Sequence, residues 1–188
     1  MGGDRCRSSR SRNSSDTPPG ALRIIDINLR QQYYSHEIVE QSLQLANVIK
    51  LNDDELPVFS QMFGFAGSIQ NQLELLANRF AAATAAGPSC SHGKCVVALT
   101  RGACGSLLYL PSDDRWSDCP SRPVEVVDTV GAGDSFTAAL VLGLLHNLDL
   151  DEINFVANEV ARYVCSQAGA TPPMRAEFAD KFRTLSSR

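Results

Sequence analysis

The sequence is poor in the features that would place it at a membrane or on nucleic acid. No apolar run approaches the roughly 20 residues needed to span a bilayer, and the opening "MGGDRCRSSR" holds no apolar segment of the kind a secretory signal carries. These two absences predict a cytoplasmic protein. Basic residues are outnumbered, 17 Lys and Arg against 21 Asp and Glu, and a net charge of −4 gives no long-range attraction for polyanions. Neither nucleic acid nor a membrane is therefore expected as a partner. The six cysteines, at 6, 90, 95, 104, 119 and 165, form no C-x-x-C pair, which argues against a disulfide framework or paired zinc ligands. Cys90, His92 and Cys95 do crowd into "CSHGKC". A structural zinc site needs four ligands and no second pair is present, so this stretch reads as a polar loop before a strand.

What is present is an alternation of strand and helix patterns behind a polar tail. Residues 1–20 are rich in Ser, Arg, Gly and Pro and nearly devoid of apolar side chains, a composition that predicts a disordered tail. From there "LRIIDI" reads as a strand and "SHEIVEQSLQLAN" as a helix with Ile38, Val39, Ser42, Leu45 and Ala46 toward one side. A second strand, "VIKL", follows. Helical patterns then cover about 55–63 and 68–86, the second carrying Leu73, Leu76, Ala77 and Phe80 and stopped by Gly87-Pro88. "CVVALT" is a near-continuous apolar run of the kind found in parallel strands covered on both faces. "SLLYL" and "VEVV" read as two more strands with "PSDDRW" as the hairpin connection, and helices about 134–147, 151–167 and from Arg175 complete the chain. Strands alternating with helices predict an α/β fold of three layers, a mostly parallel central sheet with helices on both faces.

The stretch with most chemical content is "DTVGAGDSF", residues 128–136, where glycines precede an apolar helix. Gly131 and Gly133 leave the backbone bare, and bare amides at a helix start form a concavity suited to phosphate oxygens. Asp134 stands at its rim. A carboxylate there repels a resting anion but is well placed to take a proton from an attacking hydroxyl. An N-cap or first-turn role accounts for it equally well.

Residues 128–145, "DTVGAGDSFTAALVLGLL", resemble the carboxy-terminal signature of the PfkB, or ribokinase-like, family of sugar and nucleoside kinases. The resemblance implies Asp134 as catalytic base, Gly131, Ala132 and Gly133 as the anion hole, and Asp128 and Thr129 near a monovalent cation such as K+. Upstream, "NDDE" is similar to the family's N-x-x-E motif, which implies that Asn52 and Glu55 organise Mg2+ through water. Asn at a helix start with Glu three residues on is also a capping box needing no ligand. "TRGACGS" resembles the T-x-G-x-x-G nucleotide loop and implies that Thr100, Gly102 and Gly105 contact ATP. Asn158 and Gly169, in "FVANEVARYVCSQAGATPP", match the closing helix and loop beside the adenine. Asp26, Asn28 and Arg30, in "DINLRQQYYS", resemble the D-x-N-x-R stretch of fructokinase-like and ketodeoxygluconate-kinase-like members and imply contact with the sugar. Arg30 offers paired donors to hydroxyls or phosphate, and a surface ion pair is the alternative.

The resemblance runs from about residue 17 to 175 and matches only the second half of a family member. It implies a truncated ribokinase-like domain over 21–188, without the glycine-rich sugar contacts and β-lid of the first half. Two expectations follow. One is ATP-dependent phosphoryl transfer to a sugar hydroxyl; the other is an inactive nucleotide-binding fragment that needs a partner half. Loss of neighbouring strands would also leave a sheet edge open to a homodimer or looser association.

Overall fold

A computed structural model describes residues 21–29, 34–81 and 95–185. The tail 1–20, Arg30, Cys90 and His92 lie outside these residues. The described chain forms one five-stranded sheet in the order β1 (Ile24–Asp26), β2 (Val48–Asn52), β3 (Val96–Thr100), β4 (Ser106–Leu110) and β5 (Arg115–Cys119). β1, β2 and β3 pair in parallel, with Ile24 opposite Val48 and Val48 opposite Val96, and β3, β4 and β5 pair antiparallel.

Alternation along the strands divides the core in two. Ile49, Leu51, Val97, Leu99, Leu107 and Tyr109 point to one face, where they meet α1 (His36–Leu45), α2 (Glu55–Phe63), α3 (Ile69–Leu76) and the π-helical turn Ala77–Ala81. Val48, Val96, Ala98, Leu108 and Leu110 point to the other, against α4 (Ala132–Leu145), α5 (Leu150–Cys165) and α6 (Ala176–Leu185). Three layers follow, as the alternating pattern predicts. Each fully buried aliphatic side chain contributes about 1.5–3 kcal/mol relative to exposure.

Two local expectations are corrected. "VEVV" is not a strand: Val126 and Val127 are exposed, and the Val127 and Asp128 amides both donate to the main-chain oxygen of Cys165, the last residue of α5. The partner of β4 instead begins inside "PSDDRW". Asp114, at φ 48°, closes a 3-10 turn at Pro111–Asp113, so the chain reverses early and Arg115–Cys119 takes the edge position. In α1 the buried stripe is Val39, Leu43 and Ala46, at i, i+4 and i+7, while Ile38 and Leu45 are exposed. Ile38 borders an open apolar groove with Ile25, Ile27, Leu29 and Tyr34, beside the outer edge of β1.

Candidate active site

The carboxyl ends of β1, β2 and β3 lie side by side, because the three strands are parallel and in register. Loops leaving a parallel sheet at that end are the usual place for a ligand. Asp26, Asn52 and Thr100 are the terminal residues of these strands.

Asp26 is held by two partners. Lys50 Nζ donates to Asp26 Oδ1 at 3.0 Å, and Thr137 Oγ1, from the second turn of α4, donates to Oδ2 at 3.0 Å. Thr137 also bonds Gly133 O at 3.0 Å. This set fastens the start of α4 to β1 and β2. Lys50 is 5% exposed, and its ammonium lies 3.3 Å from where a Gly133 Cβ would be. A side chain at 133 would crowd the charge, so glycine here lets a buried cation sit against the turn.

The turn has the geometry its sequence implies. Gly131 caps α4 at φ 83°, and a Cβ there would fall 2.3 Å from Ala170 O, so only glycine allows both the left-handed backbone and the approach of the 169–170 loop. Asp128 locks the same junction: Oδ1 accepts from Val130 N at 2.9 Å and Oδ2 from Gly169 N at 3.2 Å. Ala132, Gly133 and Asp134 form the first turn of α4. The Ala132 amide donates to Thr129 O, whereas the amides of Gly133 and Asp134 donate to no described residue. Unpaired amides at a helix start, with the positive end of its dipole, favour an anion. The Asp134 carboxylate is exposed beside them.

Asn52 and Glu55 form the capping box. Asn52 Oδ1 accepts from Asp54 N and Glu55 N, while Glu55 Oε2 accepts from Asn52 N at 2.8 Å. Glu55 Oε1 accepts from Leu29 N at 2.9 Å, next to Asn28, so this buried carboxylate also ties down the loop after β1. Both oxygens are thus engaged with backbone, and their spare lone pairs fit a hydrated Mg2+ held through water better than direct ligation. Among the described residues no cluster of three His, Cys, Asp or Glu side chains could hold a metal alone.

The loop after β3 is tight. Gly102 and Gly105 take positive φ, Arg101 N donates to Gly105 O at 2.7 Å, and the Arg101 guanidinium pairs with Asp118. A Cβ on Gly105 would lie 2.0 Å from Cys119 O, which brings this loop against the end of β5. There a groove of about 340 Å³ opens, lined by Cys119, Pro123, Phe155, Asn158 and Arg162 among others. Hydrogen bonds from the Arg162 guanidinium hold the Glu159 carboxyl below the ordinary carboxylate value. Burial pushes the Cys119 thiol up.

The structure therefore gathers Asp26, Asn28, Asn52, Glu55, Thr100 and the 131–134 turn at one end of the sheet, joins Asp128 with Gly169, and bonds Asn158 to Ser106, the residue after Gly105. Thr129 is exposed beside Asp128. Sequence reasoning missed Lys50 and Asn154. Each had a signal: a lysine within the apolar strand "VIKL", and an asparagine within the buried stripe of α5.

Residues 20–177 match the pfkB family of carbohydrate kinases. The chain belongs to the PfkB family. A fructokinase of Klebsiella pneumoniae is 29% identical over 147 residues, covering 76% of this chain and 42% of that protein. Among solved structures, ribokinase from Thermotoga maritima superposes with a TM-score of 0.67 at 21% identity, over 91% of this chain and 51% of that one. Aminoimidazole riboside kinase from Salmonella enterica, complexed with its riboside and an ATP analogue, gives a TM-score of 0.59 at 27% identity, over 87% and 51%. The PfkB chain described here thus has a ribokinase-like fold and spans about half the length of the relatives it matches.

Proposed function

We propose that this PfkB chain binds ATP with Mg2+ and transfers the γ-phosphate to a hydroxyl of a small sugar, in the manner of a fructokinase or ketodeoxygluconate kinase. The observation that carries the reading is the start of α4: an exposed carboxylate, Asp134, beside two amides without described partners and a buried lysine, Lys50, behind the turn. Asp134 takes the proton of the attacking hydroxyl. The Gly131, Ala132 and Gly133 backbone faces the transferred phosphoryl, whose charge is spread over its oxygens and is stabilised by fixed donors. Mg2+, when bound, would neutralise phosphate charge, and Asn52 and Glu55 would hold it through its water shell. Asp128 and Thr129 would hold a K+. Thr100, Gly102, Gly105, Asn158 and Gly169 take the nucleotide, and Asp26, Asn28 and Arg30 lie toward the sugar. Asp26 serves there through Lys50 and Thr137, since both its oxygens are already bonded.

No helix among the described residues is long and apolar enough to cross a membrane, in keeping with a cytoplasmic enzyme. The outer edge of β1 has no described partner, and Ile24 and Ile38 are exposed beside it, which supports self-association at that face. A second reading is a chain that binds nucleotide without turnover. Calorimetric titration with ATP, then coupled ADP release with a panel of sugars, separates the two. Asp134→Asn is expected to bind ATP as the wild type does and to lose at least 100-fold in turnover. Unchanged turnover removes Asp134 as base, and binding without turnover in the wild type assigns the second reading.

A further inference from the structure

Behind the groove at the end of β5 lies a buried polar relay whose bond directions are forced. Asn154, on α5, is fully buried, as is Ser106 at the start of β4; Ser117, on β5, is nearly so. The Asn154 side-chain nitrogen lies 2.8 Å from Ser117 O and 3.1 Å from Ser117 Oγ. A main-chain carbonyl only accepts, so the amide nitrogen must face it and the amide oxygen, Oδ1, must face Ser106. Ser106 Oγ is 2.5 Å from that oxygen and spends its one hydrogen there. Only lone pairs remain on Ser106 Oγ for the next member, Asn158, whose amide nitrogen stands 2.5 Å away. The same nitrogen is 2.8 Å from the Asn154 main-chain oxygen, again an obligate acceptor, and 3.2 Å from Asn154 Oδ1, which shares the hydrogen directed at Ser106. Both hydrogens of the Asn158 amide are therefore committed inward. Its Oδ1 accepts from no described residue, and the side chain lines the 340 Å³ groove.

We infer that Asn154 is a positioning residue for nucleotide recognition: acting through Ser106, it fixes Asn158 as a hydrogen-bond acceptor, so that the groove takes a nucleoside by a donor group on its base or ribose. The inference rests on the nucleotide-binding reading and adds to it the polarity of one contact and the residue that sets it. A side-chain amide free to rotate would offer donor or acceptor at will. Here Ser117 O orients the Asn154 amide, which acts on Asn158 through Ser106, while Asn154 O takes the second hydrogen of Asn158; the two bonds together remove that choice. An apolar residue at 154 would satisfy the helix packing equally well, and an unsatisfied buried amide is costly, which makes a fully paired asparagine at this position a specific choice.

The test is isothermal titration of the full chain with ATP, with inosine triphosphate, which lacks the base amino group, and with 2′,3′-dideoxy-ATP, which lacks the ribose hydroxyls. Wild type is expected to bind one of the two analogues at least fivefold more weakly than ATP, which identifies the donor. Asn154→Leu is expected to lose at least fivefold in ATP affinity and to bring that discrimination below twofold. Because Asn154 acts through its neighbour, Asn154→Leu with Asn158→Ala should bind ATP no more weakly than Asn158→Ala alone. Ser106→Ala, which removes the relay hydroxyl without adding bulk, should reproduce the loss if Asn154→Leu does not fold. The inference is overturned if Asn154→Leu and Ser106→Ala bind ATP within twofold of wild type, if the double variant loses a further fivefold, or if both analogues bind wild type as ATP does. A wild type that binds no ATP removes the nucleotide reading and this inference together.

Discussion

At the scale of single residues, the pairing of Lys50 with Asp26 has an energetic consequence that can be measured. The Lys50 side chain is 7% exposed and that of Asp26 25%, so the pair is largely withdrawn from water. Removing one charge leaves the other without its partner, whereas replacing both with apolar groups relieves both desolvation costs. Lys50→Met is expected to destabilise the fold by about 1–3 kcal/mol, less than the roughly 3–5 kcal/mol of a fully buried pair because Asp26 keeps Thr137 and some solvent. Adding Asp26→Leu should recover most of that loss. Urea unfolding of the two variants checks it; equal destabilisation in both would mean that the charges contribute independently. Much of the site at this scale was readable in advance, since glycines at 131 and 133 and the aspartate at 134 have backbone and charge requirements visible without coordinates. Lys50 was not, because its partner Asp26 lies on β1, 24 residues before it, and Thr137, which holds the other oxygen of Asp26, lies on α4, 87 residues after it. Side-chain pairings of that separation leave no periodic trace. Asn154 was hidden for the same reason: its partners are on two strands of the hairpin.

At the scale of elements, helix starts carry most of the local specification. Asp149 caps α5, accepting from Asp151 N at 3.0 Å, and Arg115 grips the same carboxylate with two bonds of 2.7 Å. Hydrogen bonds from Arg115 hold its carboxyl below the ordinary carboxylate value. A group whose pKa is lowered on folding adds stability that is present above its unfolded value and lost as pH falls through the folded one. Asp149→Ala is thus expected to cost about 1 kcal/mol at pH 7, mostly through the lost cap, because an ion pair this exposed adds little. The difference from wild type should shrink below about pH 3.9, the ordinary aspartate value. Thermal unfolding of both proteins across pH tests this, and a difference that stays constant down to pH 2 would contradict it. Caps and stripes of this kind are why the helices α1, α2, α4, α5 and α6 were anticipated within a few residues, whereas the one expected over 68–86 is α3 to Leu76 and a π-helical turn to Ala81, its last five positions lying outside the described residues. The misread strand has an equally local cause. "VEVV" has high β propensity, but propensity needs a partner, and the hairpin had already closed five residues earlier at Cys119 because Asp114 accepts a left-handed backbone.

At the scale of the whole molecule, the edge of β1 is where the proposed self-association would act. Three strand residues at an edge with no described partner, Ile24 at 37% exposure among them and Ile38 at 58% beside them, set backbone next to apolar surface. Sedimentation velocity over a 100-fold dilution is expected to show concentration-dependent association, and Ile38→Lys should shift it toward monomer. A single species across the series would rule that face out. The same register that aligns the strand ends also dictates an order of assembly. β3, β4 and β5 join through two short reversals, whereas Val48 must find Val96 across 48 residues of chain, a closure that costs more entropy before any contact repays it. Pulse-labelled hydrogen exchange during refolding should therefore protect the amides of Leu107–Tyr109 before those of Ile49–Leu51. On that schedule the 131–134 turn, which depends on β1 and β2 for its anchor, is set in place only after the hairpin has closed.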